Sequence, residues 1–144
     1  MPISERLARL GSGVFARNDL RKSAYATRAL QQGLPELVDL SRTFGGLGMH
    51  CCADAEHQFP SFRKIPNFYA FNRVAAKHGY DPILEHLGGP QGPVHVLWSD
   101  DTTIERLIKT APEGTRFIFN RSFEEVDEAK AWLEKMRKIS PRTD

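Results

Sequence analysis

Residues Val94 to Asn120 read VHVLWSDDTTIERLIKTAPEGTRFIFN, and this stretch decides the fold class. Val94 to Trp98 is rich in β-branched and aromatic residues and predicts a strand. Thr102 with Glu105 three residues on forms a capping box, which predicts a helix from Thr103 to about Thr110. Ile104, Leu107 and Ile108 supply its apolar stripe. Arg116 to Phe119 reads as the next strand. A strand, an amphipathic helix and a second strand imply a parallel pair joined by a right-handed crossover.

The same alternation extends in both directions. Downstream, Ser122 and Glu125 form a second capping box, and Phe123, Val126, Ala129, Trp132, Leu133 and Met136 fall on one helical face. Acidic residues crowd its first turn and basic residues its last, as the helix dipole prefers, and Pro141 ends it. Upstream, the loop of Gly88, Gly89, Pro90, Gly92 and Pro93 follows a short helix over Pro82 to Leu87. Ala75 to His78 suggests a helical turn, and Phe68 to Phe71 a strand. Leu47 to Cys51 reads as the first strand, trailed by a short helix near Glu56 to Phe62. Each strand begins roughly twenty to twenty-six residues after the last, the size of one strand–helix unit. The expectation is an α/β fold of four parallel strand–helix units preceded by N-terminal helices. Asp19 caps the first of these helices, Gly33 and Pro35 interrupt it, and Pro35 opens a second that ends near Gly45 and Gly46. Residues 1–17 form an arm, and 18–144 a single domain.

Bulk composition narrows the function classes. A chain of 144 residues fits one domain, and 40% hydrophobic with 26% charged residues is ordinary for a folded one. A formal charge of +2 argues against a dedicated nucleic-acid binder. Arg6, Arg9, Arg17, Arg21, Lys22 and Arg28 make the first part of the chain locally basic, which reads as a solvated helix face. No apolar run approaches the roughly 18 residues that span a bilayer, and no signal-peptide core follows Met1. Cys51 and Cys52 are adjacent, a poor geometry for a mutual disulfide, so the expected compartment is reducing and cytoplasmic.

In parallel α/β sheets ligands bind beyond the carboxyl ends of the strands. Those ends carry His50, Cys52 and Asp54, then Asn72 and Arg73, then Asp100, then Asn120 and Arg121. Arg73 and Arg121 are the expected anion contacts, because a guanidinium grips a carboxylate with two hydrogen bonds. Residues two apart on a strand share a side, so His50 and Cys52 face one cavity and Cys51 turns toward the helices. Imidazole plus thiolate suits zinc, with His57 as a third ligand. The same spacing is met by a buried cysteine beside a hydrogen-bonded histidine.

The stretch Leu34 to Asn72, LPELVDLSRTFGGLGMHCCADAEHQFPSFRKIPNFYAFN, resembles the second half of the uroporphyrinogen decarboxylase-like superfamily. In its zinc-dependent methyltransferase branch a helix precedes a strand ending His-x-Cys, matched here by His50 and Cys52. The likeness runs more loosely through Val94 to Trp98 and Arg116 to Asn120 to the last helix. It implies half of a (β/α)8 TIM barrel, zinc at His50 and Cys52, and a small-molecule substrate or a corrinoid or thiol partner. That family draws a further cysteine from a late strand; Asn120 stands near that position here. The ending RFIFNRSFEEVDEAKAWLEKM also looks like the last strand and helix of STAS-like regulatory modules, which are noncatalytic. Four strands cannot close a barrel, and unpaired sheet edges together with the prevalence of two-fold oligomers lead to an expected homodimer.

Overall fold

The computed structural model describes residues 24–51, 55–73 and 78–140, with residues 24–32 described by their backbone. Four strands, β1 (Leu47–Cys51), β2 (Phe68–Arg73), β3 (Val94–Trp98) and β4 (Arg116–Asn120), form one sheet in the order β1-β2-β3-β4. All three strand pairs are parallel. The helices are α1 (Ala24–Phe44), α2 (Phe59–Phe62), α3 (Asp81–Leu87), α4 (Asp101–Thr110) and α5 (Val126–Ile139), with a 3-10 turn over Glu56–Gln58. This is the expected α/β arrangement, consistent with half of an α/β barrel. No helix among the described residues is long and apolar enough to cross a membrane.

Three local expectations are corrected. First, α1 runs unbroken through Gly33 and Pro35. A proline inside a helix removes one backbone hydrogen bond, and here packing holds the helix together regardless. Leu34 and Leu37 lie against the core, and buried Ser41 donates its hydroxyl to the Pro66 carbonyl. The capping residue expected at Asp19 lies outside the described residues, as does the helical turn suggested over most of Ala75 to His78. Second, α4 is capped by Asp100 rather than Thr102: the Asp100 carboxylate accepts from the Thr103 amide at 2.8 Å and its hydroxyl at 3.0 Å. Asp100 has the extended backbone an N-cap needs, while Thr102 is already helical. Glu105, freed from the expected box, pairs with Lys135 of α5 at 2.6 Å. Third, α5 starts at Val126 with Glu125 as its N-cap and no side-chain capping bond, so Ser122 does not cap it.

The sheet has two unlike faces. Cys51, Phe71, Leu97, Phe117 and Phe119 belong to the helix-covered core, with Phe59, Phe62, Leu84, Leu87 and Leu107 against them. The ring centroids of Phe59 and Phe62 each lie 5.8 Å from that of Phe71, both edge-on. The alternate residues Gly48, His50, Val94, Val96, Trp98, Ile118 and Asn120 are exposed or half-exposed. Trp98 and Ile118 keep 59% and 55% of their surface, so no described helix covers this second face. A sheet with helices on one side only is the layer arrangement of an opened barrel wall, in which the bare face would be the interior.

A bulge decides which residues of β2 share that bare face. Leu47 pairs with Phe68, but Gly48 pairs with Ala70, leaving Tyr69 as the extra residue. The slip flips the phase of everything beyond it, so His50 stands opposite Asn72 rather than Phe71. Tyr69 lies across Gly46, where a Cβ would come within 2.0 Å of its exposed ring, so a larger residue there would displace the ring.

Candidate functional site

The carboxyl ends of β1 and β2 present His50 and Asn72 side by side on the bare face. The two side chains are hydrogen-bonded, His50 Nδ1 to Asn72 Oδ1, at 2.5 Å. Asn72 Nδ2 donates to the Val96 carbonyl on β3 at 2.7 Å. That second bond fixes the amide, because only the NH2 group can donate and a carbonyl can only accept. The Asn72 oxygen therefore faces His50, and Nδ1 must carry the proton. In the neutral imidazole Nε2 then holds the lone pair. This is the arrangement of a ligating or proton-accepting histidine oriented by a hydrogen bond to its other nitrogen.

The remaining strand-end residues divide between the two faces. Trp98 and Asn120 are register partners on the bare face. Arg73, expected beside His50, is fully buried on the helix side. There its guanidinium meets Glu56 at 3.1 Å and Cys51 Sγ at 3.6 Å. Alternation puts Arg73 on the face opposite Asn72, and the bulge at Tyr69 makes that the helix side, where the Glu56 carboxylate compensates the burial of the charge. Cys51 is likewise buried on the helix side. The Asp100 carboxylate is engaged as the cap of α4, and the Thr103 amide bond holds its pKa below the ordinary value. Arg121 pairs with Asp101 at 3.0 Å and lies over the Phe123 ring, 5.9 Å from its centroid. His57 is exposed in the 3-10 turn. Cys52 and Asp54 lie outside the described residues. Of the expected set, the structure brings together His50 and Asn72 directly.

Two residues at this end of the sheet escaped sequence reading. Tyr80 is buried just ahead of α3, and its hydroxyl donates to the Trp98 carbonyl at 3.0 Å. Burial pushes its phenol pKa upward, partly offset by a hydrogen bond with Ser99 and the charge of Arg73. Trp98 has no signal beyond its position as the last residue of the clearest strand.

No family model, curated protein or solved structure matches the chain. The site must be judged on its chemistry. Among the described residues no three His, Cys, Asp or Glu side chains converge on a point. At the end of β1 the described residues supply the lone-pair nitrogen of His50, while the soft donor of the His-x-Cys pattern belongs to the segment 52–54.

Proposed function

We propose that this chain is half of a uroporphyrinogen decarboxylase-like (β/α)8 barrel, with a metal or small-ligand site at the strand carboxyl ends and two copies completing the barrel. The observation that carries the reading is the chain of bonds from Val96 through Asn72 to His50, which leaves Nε2 of an exposed imidazole as the lone-pair nitrogen. His50 and Cys52 would hold zinc, with His57 or Asp54 as further candidates. Zinc there would lower the pKa of a bound thiol, and the thiolate would be suited to accept a methyl group from a methylated corrinoid, whose cobalt would keep the electron pair of the broken bond. The remaining work falls to the chain itself: Asn72 orients His50, and Asn120 and Trp98 line the bare face. The adjacent Cys51 and Cys52, a poor geometry for a mutual disulfide, suit a reducing cytoplasm.

Assembly follows from strand spacing. His50 on β1 and Asn120 on β4 are three strand steps apart, about 14 Å at the usual spacing. In a two-fold dimer closed edge to edge, β1 of one copy would pair with β4 of the other, bringing His50 within one strand step, about 4.8 Å, of the second copy's strand. β4 is an edge strand, paired among the described residues with β3 alone, so its other side is available for such a continuation. The test is zinc content of the purified chain together with its mass by light scattering. The expected result is near one zinc per chain, lost in Cys52→Ser and kept in Cys51→Ser, in a dimer. A metal-free monomer would replace this reading with the STAS-like regulatory module.

A further inference from the structure

At the opposite end of the strands lies a second cavity, of about 340 Å³. This is within the size range of small-ligand sites, roughly 300–1,000 Å³. Arg63, Asn67, Tyr69, His86, Gln91 and Arg116 contribute to its wall, and no Asp or Glu among the described residues does. Elsewhere, Arg73, Arg106, Arg121 and Arg137 each face a carboxylate. Arg63 and Arg116 have no carboxylate partner among the described residues. Two guanidiniums on one concavity, neither facing a carboxylate of the described residues, create a positive field that attracts an anion.

The wall is also preorganised. Arg116 donates to the Gly92 carbonyl at 2.6 Å, tying the start of β4 to the loop that precedes β3. That loop cannot relax easily. A Cβ at Gly92 would lie 1.9 Å from the Leu87 carbonyl oxygen, and Gly89, at a φ of +89°, donates its amide to Thr115 Oγ1 at 2.8 Å. A rigid wall spares a ligand the cost of ordering it.

We propose that this cavity binds the phosphate group of a small phosphorylated molecule. A phosphate monoester carries about −1.5 to −2 charge at neutral pH, matching two guanidiniums better than a single carboxylate does. The volume leaves room for an organic portion, with the Tyr69 ring and the His86 imidazole beside it. This inference is independent of the proposed zinc site, which lies at the other end of the sheet.

The experiment titrates inorganic phosphate, glycerol 3-phosphate and acetate into the full chain while amide NMR signals are followed. Both phosphates should shift the amides of Gly88, Gly89 and Gly92, glycerol 3-phosphate binding at least as tightly as phosphate. Arg63→Gln and Arg116→Gln should each weaken binding about tenfold, the usual cost of one charge-assisted hydrogen bond. Arg106→Gln, whose guanidinium pairs with Asp81 away from the cavity, should leave it unchanged. Arg63 is exposed, so its variant stays informative even if Arg116→Gln disturbs the loop. No phosphate shift at Gly88–Gly92, equal weakening by Arg106→Gln, or binding of acetate alone would overturn the proposal.

Discussion

Asn72→Ala tests the geometry on which the candidate site rests. The substitution removes two hydrogen bonds, to His50 Nδ1 at 2.5 Å and to the Val96 carbonyl at 2.7 Å. An ordinary net contribution of about 0.5–1.5 kcal/mol per bond predicts a loss of about 1–3 kcal/mol in stability, toward the low end because His50 is exposed. The sharper effect is on the tautomer. In the wild-type chain the bond to Asn72 favours Nδ1–H by the worth of one hydrogen bond, which corresponds to about 2- to 10-fold in tautomer ratio. Without Asn72 that bias disappears. Imidazole 15N chemical shifts measured above the histidine titration range report the two tautomers directly. The wild-type His50 should show a protonated Nδ1 and an unprotonated Nε2, and Asn72→Ala a shift toward Nε2–H. If zinc is bound, the same variant should weaken it about 10- to 100-fold, as loss of an orienting partner does elsewhere. A wild-type His50 protonated on Nε2, or a ratio unmoved by Asn72→Ala, would refute the argument.

Three other outcomes follow from the fold. His95 is fully buried, with Nε2 bonded to the Leu87 carbonyl at 3.1 Å and Nδ1 without a partner among the described residues. Burial, aided by the charge of Arg116 against the opposing Leu87 bond, holds its pKa below the ordinary 6.5. The imidazole is therefore neutral in the fold while the unfolded chain takes up a proton. Its contribution is complete above about pH 6.5 and is lost as pH falls below it, at up to about 1.4 kcal/mol per pH unit. Urea midpoints across that range should fall more steeply for the wild type than for His95→Gln. Phe59→Ala deletes a ring with no exposed surface and should cost about 3–5 kcal/mol in urea unfolding; a cost near 1 kcal/mol would mean the aromatic cluster is loosely packed. Ile118→Glu changes a half-exposed position on the bare face, so a monomer should tolerate it within about 0.5 kcal/mol. In a closed two-copy barrel it would bury charge in the interior and halve the mass by light scattering; an unchanged mass would count against closure over this face.

By itself the sequence determined the four strands and the helices between them, in their order along the chain. Leu47–Cys51 and Val94–Trp98 appear at the expected bounds, because short β-branched and aromatic runs between turn residues have few other uses. Alternation also fixed that Cys51 and His50 take opposite sides. The helix starts were harder: Asp100 and Thr102 are both good caps, and the choice depends on which backbone is extended when β3 ends. Only the tertiary structure decided which strand residues share the candidate site. A single unpaired residue, Tyr69, shifts the phase of β2 against β1, and nothing in a period-two pattern marks where such a slip falls. That slip sets Asn72 beside His50 and sends Arg73 into the core, where Glu56, seventeen residues earlier in the chain, neutralises it. The cationic cavity was equally hidden, since Arg63 and Arg116 are distant in sequence and line one cavity only in the folded sheet, where the start of β4 lies beside the loop that leads into β3.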